Sequence, residues 1–325
     1  MWKSTLELTE RNLRSLRQRV AFRNPHSAIR TLSVLSPRYS VLIAFLIVLI
    51  TPLEGAAQTT SATKVPATIG MFKDSNTGAG TYTLPISVPP GTAGVAPKIG
   101  FVYNSQDNQL ADNLMGIGWS LSGLPTIQRC PATVAQDGFR GGINYDSNDR
   151  FCLDGQRLMA ISGTYGGNGT EYRTEVDSGV KVISSGTAGS GPASFTVRTK
   201  AGELMEFGNT ADSRIEAQGK ASVRVWALNK VQDTSGNYLT VSYIEDSVNG
   251  EYRPTRIDYT GNTGLTPNRS VQFFYATRTD APPLYEGGSL IKTTFRLTNV
   301  QTFVGTTLVR DYRLTHENGT ATGRS

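Results

Sequence analysis

Gly116 to Gly123, GIGWSLSG, sets Ser120 among closely spaced glycines, a composition that could raise a nucleophile on a strained turn. A hydrolase elbow of that kind needs G-x-S-x-G between a strand and a helix, with a histidine as base. Gly118, Ser120 and Gly123 have the wrong spacing, no helical periodicity follows, and beyond residue 57 the sequence holds a single histidine, His316. A Ser-His mechanism does not fit. Gly116, Gly118 and Gly123 read instead as backbone turning about Trp119, a structural corner filled by the indole.

Other chemistries fail on similar grounds. Asp146, Asp149, Asp154, Glu171, Glu175 and Asp177 could supply the two carboxylates of glycoside hydrolysis. Arg150, Arg157 and Arg173 stand among them, which is the pattern of surface or edge-strand ion pairs rather than of one carboxyl kept protonated. Asp74 opens DSNTG, the start of a calcium loop, but the twelfth position is Pro85 where a bidentate Glu is required. No glycine-rich loop is followed by Lys and Ser or Thr to hold phosphate. Cys130 and Cys152, with only His316 to help them, cannot complete a structural zinc site. No catalytic, cofactor-binding or metal-binding set emerges. For Cys130 and Cys152 two readings stand: a disulfide closing a short loop, worth about 3 kcal/mol in an oxidising compartment, or two buried thiols.

Strands must position whatever the chain does. From Gly80 onward, runs of about five to eight residues rich in Val, Ile, Thr, Phe and Tyr alternate with turn-forming clusters. In YLTVSY, Leu239, Val241 and Tyr243 share one face and Thr240 and Ser242 the other, the period of a strand buried on one side. DTSGN (Asp233 to Asn237) before it and Asn249-Gly250 after it supply turns, so Val223 to Tyr259 reads as three antiparallel strands in two hairpins. Further strands are expected at 98–104, 180–183, 195–199, 204–207, 271–275, 293–304 and 307–314. In IGFVYN the inward set is Ile99, Phe101 and Tyr103. With 13 tyrosines and 34 glycines, amphipathic rings pair across strands and glycines turn the corners. The expected class is all-β, an extensive antiparallel sheet of hairpins and meanders preceded by a helical signal segment.

The formal net charge of +6 belongs to the leader. Residues 1–38 hold Lys3, Arg11, Arg14, Arg17, Arg19, Arg23, Arg30 and Arg38 against Glu7 and Glu10. The remainder is balanced, with no long-range field to attract a phosphate backbone, and no nucleic acid partner is expected. Val41 to Ile50, VLIAFLIVLI, is shorter than the roughly 20 apolar residues of a membrane span and matches a secretory signal core. Residues 1–57 therefore read as a signal peptide with a long basic leader, cut after Ala57, or as an uncleaved anchor, and membrane contact is expected only there. Residues 58–79 read as a linker and 80–325 as the β domain. The turn-rich end, HENGTATGRS, suggests a domain truncated at the C-terminus.

The stretches YTLPISVPPGTAGVAPKIGFVYNS (Tyr82 to Ser105), GIGWSLSGLPTIQRCPATVAQDG (Gly116 to Gly138), DRFCLDGQRL (Asp149 to Leu158), GTEYRTEVDS (Gly169 to Ser178) and EFGNTADSRIEAQG together resemble the N-terminal domain of the Salmonella virulence plasmid B protein (SpvB) family. The B component of insecticidal toxin complexes shares that domain, and the resemblance covers Gly80 to Ser325. GNYLTVSY and NGEYRPTRIDY also look like the tyrosine-rich repeats of Rhs-type proteins. The resemblance implies a secreted, non-enzymatic structural module, part of a β shell that encloses or presents a toxic partner. The implied partners are an Rhs-type toxin C component or a downstream toxin domain, and a translocation component; related proteins can also be cytoplasmic before release. The family's ADP-ribosyltransferase domain needs Ser-Thr-Ser and Glu-x-Glu, both absent here, so that activity does not carry over. The alternative from the residues themselves is a cell-surface carbohydrate-binding module using exposed Tyr and Trp rings. A corner packed around Trp119 predicts that Trp119→Ala costs about 3 to 5 kcal/mol and leaves the protein insoluble.

Overall fold

Strands dominate the residues that the computed structural model describes, 70–74, 78–107 and 113–317. The leader, the apolar run and the chain end lie outside the described residues. The first sheet is formed by β1 (Met71–Asp74), β2 (Gly80–Pro85), β3 (Gly100–Asn104) and β4 (Trp119–Ser122), antiparallel and in sequence order. Pairing of β1 with β2 puts a strand ahead of Gly80, inside the segment read as linker. Its Met71 and Phe72 are largely exposed, so this edge strand carries no buried alternation by which to find it.

The chain then runs through β5 (Thr126–Cys130), the short α1 (Val134–Asp137), β6 (Arg150–Leu153), β7 (Gln156–Ser162), β8 (Glu171–Thr174), β9 (Lys181–Ser185), β10 (Ser194–Arg198) and β11 (Leu204–Phe207). After the three-residue β12 (Arg214–Glu216) comes the long β13 (Val223–Gln232). The remaining strands are β14 (Tyr238–Asp246), β15 (Glu251–Gly261), β16 (Arg269–Thr277), a small hairpin of β17 (Leu284–Glu286) and β18 (Ser289–Ile291), then β19 (Phe295–Val304) and β20 (Thr307–Arg313).

β13 is where two architectures meet. Its first half pairs with β5 and its second half with β11, on opposite edges. Since β5 to β11 are successive neighbours, the row closes into a barrel, which removes its free edges. The second half of β13 also pairs with β14, which begins the open row β14-β15-β16-β19-β20. Val223 to Leu228 are all buried because both faces of the strand are covered. Trp226 and Leu228 enter the barrel core, while Val225 and Ala227 join the core between the open row and the first sheet.

The barrel is filled by its own rings. Phe151 contacts Tyr165, Tyr172, Phe195 and Trp226, with centroids 5.4, 6.4, 5.4 and 5.3 Å away. The second core gathers Leu84, Ile86, Ile99 and Phe101 against Leu239, Val241, Ile257, Tyr259, Val271 and Tyr312. The hairpins read around YLTVSY hold: Leu239, Val241 and Tyr243 are buried, and Asp233 accepts from the N–H groups of Ser235 and Asn237 to form the turn. Gly250 needs its φ of +62°, and a Cβ there would lie 2.1 Å from the Leu290 carbonyl oxygen.

Trp119 is only half-buried, against Tyr103 at 5.3 Å and Tyr82 at 6.5 Å. Its corner is thus a partial cover, and the full aromatic burial expected there belongs to Trp226. That indole N–H donates to the Pro192 carbonyl at 3.0 Å, and a Cβ on Gly208 would come within 2.4 Å of the ring. Urea denaturation should therefore show Trp226→Ala losing about 3 to 5 kcal/mol and Trp119→Ala clearly less, about 1 to 2 kcal/mol. Equal losses would place the two rings in equivalent surroundings and contradict this packing.

Candidate functional site

The densest polar constellation closes one end of the aromatic barrel. On β5, Ile127 and Arg129 alternate inward, and Arg129 sits in register with Phe151 of β6. The guanidinium carbon lies 5.7 Å from the Trp226 ring and 5.8 Å from Phe151 and Tyr145. Nε donates to Val223 O at 2.6 Å, Nη1 to Asp149 Oδ2 at 2.9 Å and Asp146 O at 3.2 Å, and Nη2 to Ser190 O at 3.2 Å. Both side chains of the Arg129–Asp149 pair are fully buried, at 0% exposure. Asp149 also accepts from the N–H groups of Asn144 and Tyr145. The ion pair is thus embedded in hydrogen bonds, the condition under which a buried charge is tolerated. Gly191 leaves room for it, since a Cβ there would stand 2.9 Å from Nη2.

The outward face of the same strands carries the cysteines. Cys130 and Cys152 are joined, with Cα atoms 6.0 Å apart, diagonally across β5 and β6. The excursion between them holds α1, capped by Thr133 and ended by Gly138 at φ +74°. Asp137 accepts from Thr133 N and Arg150 Nε, and also pairs with Arg157. Burial opposes its ionisation, but these donors together hold its carboxyl below the usual range. Arg150 also covers the Tyr165 ring at 4.6 Å. Tyr165 accepts from Phe151 N and donates to Leu158 O, and burial pushes its phenol up, so it remains a donor.

At the corner, Gly116, Gly118 and Gly123 have φ of +92°, +80° and +92°. A Cβ would meet the Tyr103 ring at 2.6 Å from Gly118 and the Lys98 carbonyl oxygen at 2.0 Å from Gly123. Ser120 is exposed on β4.

The six carboxylates considered for hydrolysis are dispersed into local roles. Asp149 serves the fully buried Arg129, because β5 turns Arg129 inward, where a surface or edge-strand pair was expected. Asp146 accepts from Asn148 N, Asp154 from Thr126 N, Glu171 meets Arg173 and Lys181, Glu175 takes Gln136, and Asp177 takes Gly179 N. Among the described residues no group of His, Cys, Asp and Glu is arranged to hold a metal. Arg129, Asp137 and Trp226 escaped sequence reading, as did the buried role of Asp149. The available signal was TIQRC, where an arginine occupies the apolar phase of a strand.

The family model for SpvB, the Salmonella virulence plasmid 65kDa B protein, matches residues 74–272. No curated protein matches the sequence. Among solved structures, the N-terminal domain of effector protein SpvB from Salmonella typhimurium strain LT2 is 17% identical, with a TM-score of 0.55, over 71% of this chain and 96% of that one. The TcdB2-TccC3 crystal structure is also 17% identical, with a TM-score of 0.60, over 79% of this chain and 16% of that one. The Photorhabdus luminescens Tc holotoxin pore matches with a TM-score of 0.60 at 17% identity, over 76% of this chain and 15% of that one. The chain thus spans about a sixth of the toxin-complex chains it matches and shares their fold over that part.

Removing the partner of the buried arginine should be costly. Asp149→Asn is expected to lose about 3 to 5 kcal/mol, because Arg129 stays charged inside the barrel end. Reduction of Cys130–Cys152 should cost about 3 kcal/mol, read as a shifted urea midpoint with both thiols alkylated. An unchanged midpoint in either experiment contradicts the corresponding role.

Proposed function

The chain belongs to the SpvB family, and we propose that it is an exported, non-enzymatic structural and interaction module of a toxin-delivery or virulence protein. Its barrel and the adjoining two-sheet layer form part of a wall that encloses or presents a toxic partner. One observation carries this reading: polar groups of the kind that do chemistry are engaged as fasteners. Arg129 and Asp149 close the barrel end, and Asp137 ties α1 to β6 and β7. Buried Glu251 accepts from Thr294 N at 2.7 Å, Thr294 Oγ1 at 2.6 Å and Phe295 N at 3.3 Å. Rigid walls need such fasteners, whereas catalysis needs groups left free to change protonation.

The partners proposed are an Rhs-type toxin component, or a toxin domain downstream in the same polypeptide, and a translocation component. Export rests on residues 1–57 as the signal, and the disulfide fits an oxidising destination. Among the described residues no helix is long and apolar enough to cross a membrane. The reading expects that co-expression with a co-encoded Rhs-type toxin yields one complex by size exclusion, in which the toxin resists protease. A chain that stays monomeric and leaves the toxin as protease-sensitive as before would overturn it.

A further inference from the structure

The glycine corner is held by a three-point grip on consecutive carbonyls. Arg278 Nη1 donates to Asn113 O at 2.8 Å, Leu297 N to Leu114 O at 2.7 Å, and His316 is hydrogen-bonded to the Met115 backbone. Asn113 braces the turn from within, accepting from Met115 N and donating to Gly116 O, both at 2.8 Å. Gly116 leads through Gly118 into Trp119 and β4. The gripping side is anchored in the open sheet: Leu297 lies on β19, Arg278 N donates to Thr294 O, and the His316 segment follows Leu314, whose N–H donates to Thr298 O. The grip therefore spans the seam between the first sheet and the open row.

His316 is the member of this grip whose ordinary pKa lies near neutrality. Its ring is half-buried, and Nε2 is buried without a hydrogen-bond partner, which leaves Nδ1 for the Met115 carbonyl. The charged groups around it are Arg296 of β19, with Arg278 and Asp280 beyond β16; residues 113–116 bring no ionisable side chain. Asp280 is already paired with Arg278 at 2.9 Å. A proton taken from solvent by Nε2 would create a cation facing two guanidinium groups, with no acceptor for its new N–H.

We propose that residues 113–116 and His316 form an acid-sensitive clasp, in which protonation of His316 frees the corner and loosens β4 with Trp119 from the open sheet. The sign follows from burial. Desolvation, aided by Arg296 and Arg278, lowers the His316 pKa from 6.5 to about 4 in the folded protein. The clasp is at full strength above the ordinary histidine range and weakens as pH falls through the window from 6.5 toward 4.

The test is hydrogen exchange of the Leu297 amide in the full chain, corrected for intrinsic exchange. From about pH 7 to pH 5 its opening constant should rise on the order of tenfold. His316→Asn, which keeps a donor at the Nδ1 position and does not titrate, should remove that rise. A flat wild-type profile, or the same rise in His316→Asn, overturns the clasp. Should that variant fail to fold, NMR titration of the wild-type ring decides, with the His26 signal assigned through His26→Gln. A His316 midpoint below about 5.5 upholds the clasp and one at or above it overturns it.

Discussion

Double burial of β13 is the constraint on which the rest of the structure depends. A strand with one wet face can slip in register at the expense of one core, but β13 serves two cores at once. Trp226 and Leu228 fill the barrel while Val225 and Ala227 fill the layer beside it. A slip by one residue would exchange these sets and empty both. Its pairings with β5, β11 and β14 fix it further, because each of these neighbours has its own place in one of the two rows, and β12 adds a short pairing along its first half.

That constraint explains why a charge sits inside the barrel. The closed row has two ends, and near one of them the inward position on β5 is Arg129 rather than an aliphatic residue. The guanidinium lies against the rings of Phe151, Trp226 and Tyr145 while its N–H groups bind carbonyls of three separate segments, at Val223, Asp146 and Ser190. An aliphatic side chain would fill the volume and leave those carbonyls unpaired. The ion pair with Asp149 thus organises loops, a role for which its net stabilisation need not be large. On the outer wall the disulfide closes the base of the excursion that delivers Asp149, so the covalent link and the buried pair act on one segment from opposite sides of the sheet.

Much of this was legible in the sequence, and the limits have physical causes. Alternation in YLTVSY, turn chemistry at DTSGN and Asn249-Gly250, and apolar and aromatic runs at 204–207 and 271–275 identified strands. VRVWALN gives no alternation because both its faces are buried, so its role as junction was invisible although its strand character was not. β1 was missed for the opposite reason, since an exposed edge strand needs no apolar phase. Trp119 drew attention through its glycines, yet ring burial depends on which sheet arrives opposite, and Trp226 receives the closed barrel. The carboxylates around Asp149 read as surface or edge-strand ion pairs, because sequence distance cannot reveal that β5 turns Arg129 inward to meet Asp149.

The tyrosine content then acquires a reason beyond cross-strand pairing. Pro89 and its neighbours lie across the open sheet as irregular backbone, where buried N–H and C=O groups need partners that no ladder supplies. Tyr259 donates to Pro89 O at 2.9 Å and Tyr312 accepts from Ser87 N at 2.9 Å, while Tyr243 donates to Leu228 O at 2.8 Å and Tyr275 to Pro254 O at 2.6 Å. Each ring contributes to or packs against the apolar core while its hydroxyl reaches a backbone group beyond the sheet's own pairing. Burial raises the Tyr259 phenol to about 12 and pushes Tyr243 and Tyr275 up as well, so these donors keep their protons under any physiological condition. Among the described residues, where helix is scarce, irregular segments can therefore lie across a broad sheet with these buried backbone groups paired by tyrosine hydroxyls.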